Sequence, residues 1–141
     1  MDTRNEAKGL LREAKEDLAR ALQHVVVEDW VTATHYAQLA IEKSAKGVIS
    51  CFEAFEWTHD PSKQIKKLVE KRLLGNDFLE VASCAREAAP WHGQSTYGRL
   101  VDGEWRTPAE LCTEHVARKL AAEAQKVLTK AAGLIQGAPE G

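Results

Sequence analysis

Features that mark secreted or membrane-embedded proteins are scarce in this sequence. Its three cysteines, Cys51, Cys84 and Cys112, are far apart and odd in number, which favours free, mostly buried thiols in a reducing compartment over a disulfide framework. No apolar run is longer than Val25–Val27, whereas a membrane-spanning helix needs about 20 apolar residues. The charged amino terminus lacks the apolar stretch of a secretory signal. We therefore expect a soluble, cytoplasmic protein that does not engage a membrane.

An excess of charge of one sign is lacking as well. Lysine and arginine number 19 against 21 aspartates and glutamates, which gives a net charge of -2. This balance excludes a bulk basic surface of the kind that binds nucleic acid nonspecifically, and it leaves a local basic patch for that role. The 141 residues suffice for one domain with a sizeable core, which we place at 1–136, followed by a flexible tail at 137–141.

Helical periodicity is present over most of the chain. In the central stretch from Trp30 to Phe55, apolar or small residues recur at helical spacing without an interrupting proline. Because small residues let neighbouring helices approach closely, this stretch predicts the central helix of a bundle. The full pattern predicts an all-α, antiparallel up-and-down bundle of four to five helices, at 3–26, 29–54, 61–73, 77–89 and 113–136. The residues predicted to be buried are Leu18, Ala37, Ile41, Val48, Leu68, Val81, Leu120 and Val127.

Local signals predict where these helices begin and end. Thr3 fits the first position of a capping box, and Asp60 followed by Pro61 fits the start of the third helix. Pro90 is predicted to end the fourth helix. Residues 91–107 show no periodicity, so we predict an irregular loop without strands. A loop of that length in a compact domain is usually functional or disordered, and its aromatic residues argue against disorder.

Several sequence elements follow one another in the order seen in a known family. They are Ala14–Leu18 (Ala-Lys-Glu-Asp-Leu), the run Tyr36–Lys46, the pair His59-Asp60, the segment Tyr97-Gly98-Arg99 and a final alanine-rich helix. This order resembles the HEPN domain family, named for higher eukaryotes and prokaryotes nucleotide-binding, over roughly Asn5 to Ile135. Many relatives have Arg-Tyr-Pro in the loop before the last helix, and this chain lacks that proline.

The resemblance implies a helical bundle that is often a homodimer. Many members are encoded with a minimal nucleotidyltransferase, some as the toxin of a toxin–antitoxin pair, and a subset are metal-independent ribonucleases with an R-x(4–6)-H motif. Other members lack the motif and are associated with binding of nucleotides or partners. We therefore expect a nucleotide- or RNA-binding module, or the partner of a nucleotidyltransferase. The alternatives are a ribonuclease toxin and a structural dimeric bundle without a ligand.

Arg86 and His92 have the spacing of the ribonuclease motif. A histidine can move a proton from a 2′-hydroxyl, and an arginine can hold the scissile phosphate. However, the motif is short enough to arise by chance, and the carboxylate of Glu87 beside Arg86 would repel a phosphate. We therefore expect no strong ribonuclease activity, and catalysis by Arg86 and His92 stays the alternative.

Basic residues on the central helix are candidates for phosphate binding. Lys43 and Lys46 form a basic edge in this interpretation. The competing interpretation is a solvated face on which Glu42 and Lys46 make an ordinary ion pair at i, i+4 spacing. His35 is expected to be partly buried and hydrogen-bonded.

The irregular loop supplies a second set of candidates. Tyr97 can stack on a base, and Arg99 and Arg106 can hold phosphates, with His59 facing them. Alternatively the aromatic side chains pin the loop to the bundle. His59 could instead form an acid–base pair with Asp60, although Asp60 is more simply a helix cap.

Metal and cofactor motifs are not evident in the sequence. Cys112 and His115 offer a thiol and an imidazole, but two ligands do not make a zinc site. No glycine-rich phosphate loop is present. We therefore expect no metal and no cofactor.

Overall fold

Helices account for most of the structure, a computed structural model that describes residues 2–137. The helices are α1 (Arg4–Val26), α2 (Trp30–Ser50), α3 (Ser62–Glu70), α4 (Leu79–Ala88), α5 (Pro90–Gln94), α6 (Pro108–Leu111) and α7 (Glu114–Gly137), and a 3-10 turn spans Asn76–Phe78. Two short strands, β1 (Arg99–Val101) and β2 (Glu104–Arg106), pair antiparallel. The five predicted helices are present with slightly different ends, and the all-α helical bundle is confirmed.

Helix α2 lies at the centre of the bundle. It packs most extensively against α1 and α7, and it also contacts α3, α4 and α5. A Cβ atom added to Gly47 would lie 3.0 Å from Cδ1 of Ile135 and 3.5 Å from the carbonyl oxygen of Ala7, so this glycine marks where α1, α2 and α7 approach closely. Every residue predicted to be buried is at most 5% exposed, which confirms the predicted core.

Helix α4 ends at Ala88, beside Pro90 as predicted, and a second short helix, α5, begins at Pro90 itself. Ala89 keeps a helical backbone with φ -51° and ψ -45°, and Pro90 occupies the first position of α5. A proline is tolerated there because its missing N–H would have no partner within the helix. The part of the prediction that was wrong is the irregular loop from residue 91, and this matters for function because His92 lies within α5.

The loop predicted to be free of strands contains the β1–β2 hairpin, so that part of the prediction was wrong. The turn between the strands has positive φ at both central residues, 51° at Asp102 and 80° at Gly103, as a type I′ turn requires. Gly98 precedes the hairpin at a point of close approach. A Cβ atom there would lie 2.2 Å from the carbonyl oxygen of Arg106 and 2.6 Å from Nε1 of Trp105.

Polar contacts at helix ends tie the elements together. Thr3 makes no side-chain cap, contrary to prediction, and its hydroxyl instead donates a hydrogen bond to the carbonyl oxygen of Ser50 at the end of α2. The predicted start of α3 was wrong by one residue, because the helix begins at Ser62 with Pro61 as its N-cap and without a side-chain cap, although Asp60 Oδ1 accepts the backbone N–H of Ser62 at 3.0 Å. Thr107 makes a capping box with Glu110 at α6.

Two further expectations concern the membrane and the tail. Within residues 2–137, no helix combines the length and the apolar character needed to cross a bilayer. Gly137 belongs to the end of α7, and the remainder of the predicted tail lies outside the described residues.

Candidate functional site

Three polar side chains form a line along one side of α2. Gln38, Glu42 and Lys46 are spaced four residues apart, so they share one face of the helix. Gln38 Nε2 donates to Glu42 Oε1 at 3.0 Å, and Lys46 Nζ donates to Glu42 Oε2 at 3.0 Å. All three are buried, with exposures of 0%, 7% and 6%. The sequence predicted the Glu42–Lys46 pair, but its placement on a solvated face was wrong. We call these three residues the polar line.

The charge of Glu42 persists inside the protein because its surroundings compensate it. Burial alone would raise the pKa of Glu42, yet the hydrogen bonds from Gln38 and Lys46, together with the charge of Lys46, lower it overall. Lys46 Nζ also lies 5.1 Å from the centroid of the Phe55 ring, within the range of a cation–π contact. The polar line is therefore a buried, hydrogen-bonded pair of opposite charges with an amide beside it.

Two histidines from separate elements stack on each other and contact the polar line. His59 lies in the irregular segment between α2 and α3, and its Nδ1 is 3.1 Å from Glu42 Oε1. His92 lies in α5, and its Nδ1 is 3.2 Å from Gln38 Oε1. The two imidazole rings are stacked with centroids 3.6 Å apart and planes inclined by 17°. We call them the histidine pair. Within the described residues, neither Nε2 atom has a hydrogen-bond partner, so both remain available for a ligand.

A third histidine stands behind the pair. His35 Nδ1 is 2.9 Å from Ser95 Oγ, and its ring centroid is 5.9 Å from that of His92. The expectation that His35 is partly buried and hydrogen-bonded is confirmed. Burial lowers the pKa of His92 most strongly, and His59 and His35 lower it further against the opposing effect of Glu42. The lowered pKa favours the neutral imidazole, whose lone pair can accept a proton or bind an electrophile.

The two lysines of α2 do not form one basic edge. Lys43 faces α1, where its Nζ lies 2.8 Å from Asp17 Oδ2 and 3.3 Å from Glu13 Oε1. Lys46 is held by Glu42 inside the bundle. Because each ammonium group is already paired with a carboxylate, a phosphate would have to displace an internal partner to bind either one. Both residues stay candidates for phosphate binding from the sequence, but the ion pairs of Lys43 join α2 to α1 and that of Lys46 lies within α2.

Arg86 and His92 occupy different surroundings. Arg86 is exposed on α4, whereas the hydrogen bond and ring contacts of His92 are made with Gln38, His59 and His35. Within the described residues, no hydrogen bond joins the arginine to the histidine. His92 thus belongs to the polar cluster on α2, whichever role Arg86 has.

The remaining candidates lie on or beside the hairpin. Tyr97 is 73% exposed, and exposed Arg99 donates from Nε to Gln94 Oε1 at 2.7 Å. Arg106 contacts two carboxylates, Glu104 Oε2 at 3.1 Å and Glu110 Oε2 at 3.3 Å. Arg99 therefore has the freer guanidinium. Because Gln94 is the last residue of α5, the hairpin and the histidine pair are joined through this short helix.

Gln38 and Ser95 belong to the site, and sequence analysis did not select them. A signal for Gln38 existed, since it precedes Glu42 by the same four residues that separate Glu42 from Lys46. No comparable signal marked Ser95, because its contact with His35 spans 60 positions of sequence.

The fold and the site describe a small helical-bundle domain with a polar cluster on its central helix. A family model described as HEPN domain matches residues 7–134, and the chain therefore belongs to the HEPN domain family. Among solved structures, the crystal structure of TT1696 from Thermus thermophilus is similar, with 23% sequence identity and a TM-score of 0.69 over 93% of this chain and 97% of that chain. At this identity the likeness concerns the fold. A search of curated proteins finds no match.

Proposed function

We propose that this HEPN-domain protein binds a nucleotide or RNA at a surface formed by the histidine pair and the neighbouring hairpin. The observation that carries the proposal is the stacking of His59 on His92, with both Nδ1 atoms fixed by the polar line. Their Nε2 atoms are left for a ligand, and the side chain of His59 is 59% exposed. An arginine guanidinium is a suitable donor to phosphate oxygens, and a neutral imidazole whose Nδ1–H is bound to an oxygen offers its Nε2 lone pair as an acceptor for an N–H or O–H group of the ligand.

The hairpin region supplies an exposed cation and an exposed aromatic ring, which the polar line lacks. The charges of Glu42 and Lys46 cancel, so attraction for a phosphate depends on exposed cations. Arg99 is the best placed of these, because its single hydrogen bond to Gln94 leaves other N–H groups free. Tyr97, being largely exposed, offers a ring on which a base can stack. In this proposal Arg99 contacts a phosphate and Tyr97 a base.

Calorimetry with nucleotides and short single-stranded RNA in the presence of EDTA tests the proposal. We expect binding to wild type, and at least tenfold weaker binding to Arg99→Ala and His59→Ala. Arg12→Ala, which removes an exposed arginine of α1, is the matched control and should bind as wild type does. Unchanged binding in Arg99→Ala and His59→Ala would contradict the proposal.

The family resemblance also motivates two proposals about assembly. One is a homodimer, since isologous dimers are the commonest assembly of soluble proteins. The other is a complex with a minimal nucleotidyltransferase, as in toxin–antitoxin systems. The exposed apolar residues Leu100 and Trp105 of the hairpin, 64% and 62% exposed, are available for such contacts. Light scattering that shows only a species of 15.6 kDa at micromolar concentration would exclude the homodimer.

A metal-independent ribonuclease is the second candidate function, with Arg86 and His92 as its residues. The observation in its favour is that His92 lies in a polar site with its ring oriented by Gln38. Cleavage of total RNA without added metal, abolished by Arg86→Ala and by His92→Ala, would select this function over binding alone.

A further inference from the structure

We propose that Glu42, His59 and His92 form a binding site for a divalent transition-metal ion, with Zn²⁺ as the best match. The inference goes beyond the proposed function and does not depend on it. Each side chain offers one ligand atom, and these three atoms all lie within 4.8 Å of one another. Two histidines and one glutamate are a known zinc ligand set, which leaves a fourth position for water or a substrate group.

The ligands come from three separate elements. Glu42 is on α2, His59 is in the segment between α2 and α3, and His92 is on α5. Imidazole nitrogen and carboxylate oxygen together suit Zn²⁺, Co²⁺ and Ni²⁺ better than Mg²⁺, which prefers oxygen ligands alone. The ligand types therefore select a transition metal.

Hydrogen bonds with residues that would not contact the metal hold two of the three ligands in place. Lys46 Nζ donates to Glu42 Oε2 at 3.0 Å, which leaves Oε1 on the side of the histidines. Gln38 Oε1 lies 3.2 Å from His92 Nδ1, which orients that ring and leaves its Nε2 for the metal. Partners of this kind fix the orientation of metal ligands and raise their basicity. Lys46 also places a positive charge near the ion, which weakens its binding relative to a site without that charge.

One rearrangement is required for all three ligands to bind. The lone pair of an imidazole nitrogen lies in the plane of its ring. The planes of His59 and His92 are inclined by only 17°, so the lone pairs of the two stacked rings are nearly parallel and do not converge on one ion. Ligand atoms around a tetrahedral Zn²⁺ are about 3.4 Å apart at ordinary bond lengths. His59 is the ligand that can turn, because its side chain is 59% exposed and lies outside the helices. Metal binding thus replaces the stack with two converging rings.

Titration of tag-free protein, stripped with EDTA and dialysed, tests the proposal. We expect one Zn²⁺ per chain by calorimetry and a d–d absorption band with Co²⁺. His59→Ala and His92→Ala should each weaken binding at least tenfold, and Glu42→Gln should do the same with the shape of the side chain kept. His115→Ala is the matched control, since it removes an exposed histidine at the start of α7 and should leave binding unchanged.

Several outcomes would overturn the site. One is that wild type binds no metal at millimolar concentration. Another is that His59→Ala binds the metal as tightly as wild type does. A third is a thiolate charge-transfer band with Co²⁺, which would show that the ion is bound by a cysteine. His59→Ala is the decisive variant, because an exposed side chain can be removed without unfolding the protein, as circular dichroism would check. The nucleotide titrations are made in EDTA, so they report on the proposed function separately.

Discussion

His59 and His92 lie face to face, with ring centroids 3.6 Å apart, although one belongs to an irregular segment and the other to the short helix α5. Neither ring is positioned by a side chain of the segment or helix to which it belongs. Each Nδ1 atom is positioned by a side chain of α2, Glu42 for His59 and Gln38 for His92. The relative position of the two histidines therefore depends on how the segment and α5 dock against the central helix.

The buried pair of Glu42 and Lys46 predicts a large stability effect when one partner is removed. Both side chains are less than 10% exposed, so Glu42→Ala leaves an uncompensated ammonium group in the interior. We expect the free energy of unfolding to fall by about 3–5 kcal/mol. Urea denaturation measures the change. The double variant Glu42→Leu, Lys46→Met removes both charges and should lose less stability than Glu42→Ala, and a larger loss in the double variant would contradict this account.

A methyl group at Gly98 should disturb the hairpin and leave the bundle intact. The added Cβ atom would meet the carbonyl oxygen of Arg106 at 2.2 Å, a backbone contact that cannot move alone. We expect Gly98→Ala to strain the hairpin by about 1–3 kcal/mol, seen as a changed fluorescence of Trp105 and weaker ligand binding with unchanged helical circular dichroism. Gly93→Ala is the matched control, since no atom lies within 4 Å of its added Cβ.

The capping box at α6 fixes the exit of the hairpin. The Thr107 hydroxyl accepts the backbone N–H of Glu110 at 3.3 Å, and the Glu110 carboxylate accepts the backbone N–H of Thr107 at 3.2 Å. Thr107→Ala should reduce the free energy of unfolding by about 1 kcal/mol, measured in urea. Thr107→Ser retains a hydroxyl and should stay close to wild type. Equal losses in both variants would exclude the hydroxyl as the cause.

Cys84 should react much more slowly in the native protein than in the unfolded chain. Burial, followed by the charges of Glu123 and other glutamates, raises its pKa from 9.0 to about 11. At pH 8 this difference leaves roughly 100-fold less thiolate than in the unfolded chain. In a Cys51→Ser, Cys112→Ser background, we expect a disulfide reagent to label native protein at least that much more slowly than urea-unfolded protein.

The same pKa gives a pH dependence of stability. Unfolding lets the Cys84 thiol ionise more readily, so the stability that its neutral form provides is complete below pH 9 and is lost as the pH rises through about 11. Cys84→Ser should flatten this alkaline decline. If wild type and Cys84→Ser decline equally between these pH values, another group is responsible.

The helices could be predicted from the sequence because their burial follows a local rule. Apolar and small residues repeat at helical spacing along α1, α2 and α7, and the residues chosen for the core are buried. The hairpin was missed because strands of three residues are too short to show alternation. Its turn had a recognisable signal, however, since Asp102-Gly103 is the dipeptide typical of a type I′ turn.

The site was harder to predict because its contacts are distant in sequence. His92 and Gln38 are 54 positions apart, and His59 and Glu42 are 17 apart. No local sequence pattern predicts contacts between residues so far apart in the chain. The burial of Lys46 also ran against the usual preference of lysine for solvent, and only the carboxylate of Glu42 and the ring of Phe55 make it tolerable.

The bond from the Thr3 hydroxyl to the carbonyl of Ser50 couples the first turn of α1 to the point where α2 gives way to the segment that carries His59. Truncation of the chain at its amino end, or fusion of another sequence there, is therefore expected to change the relative position of the two histidines, although they are distant in sequence.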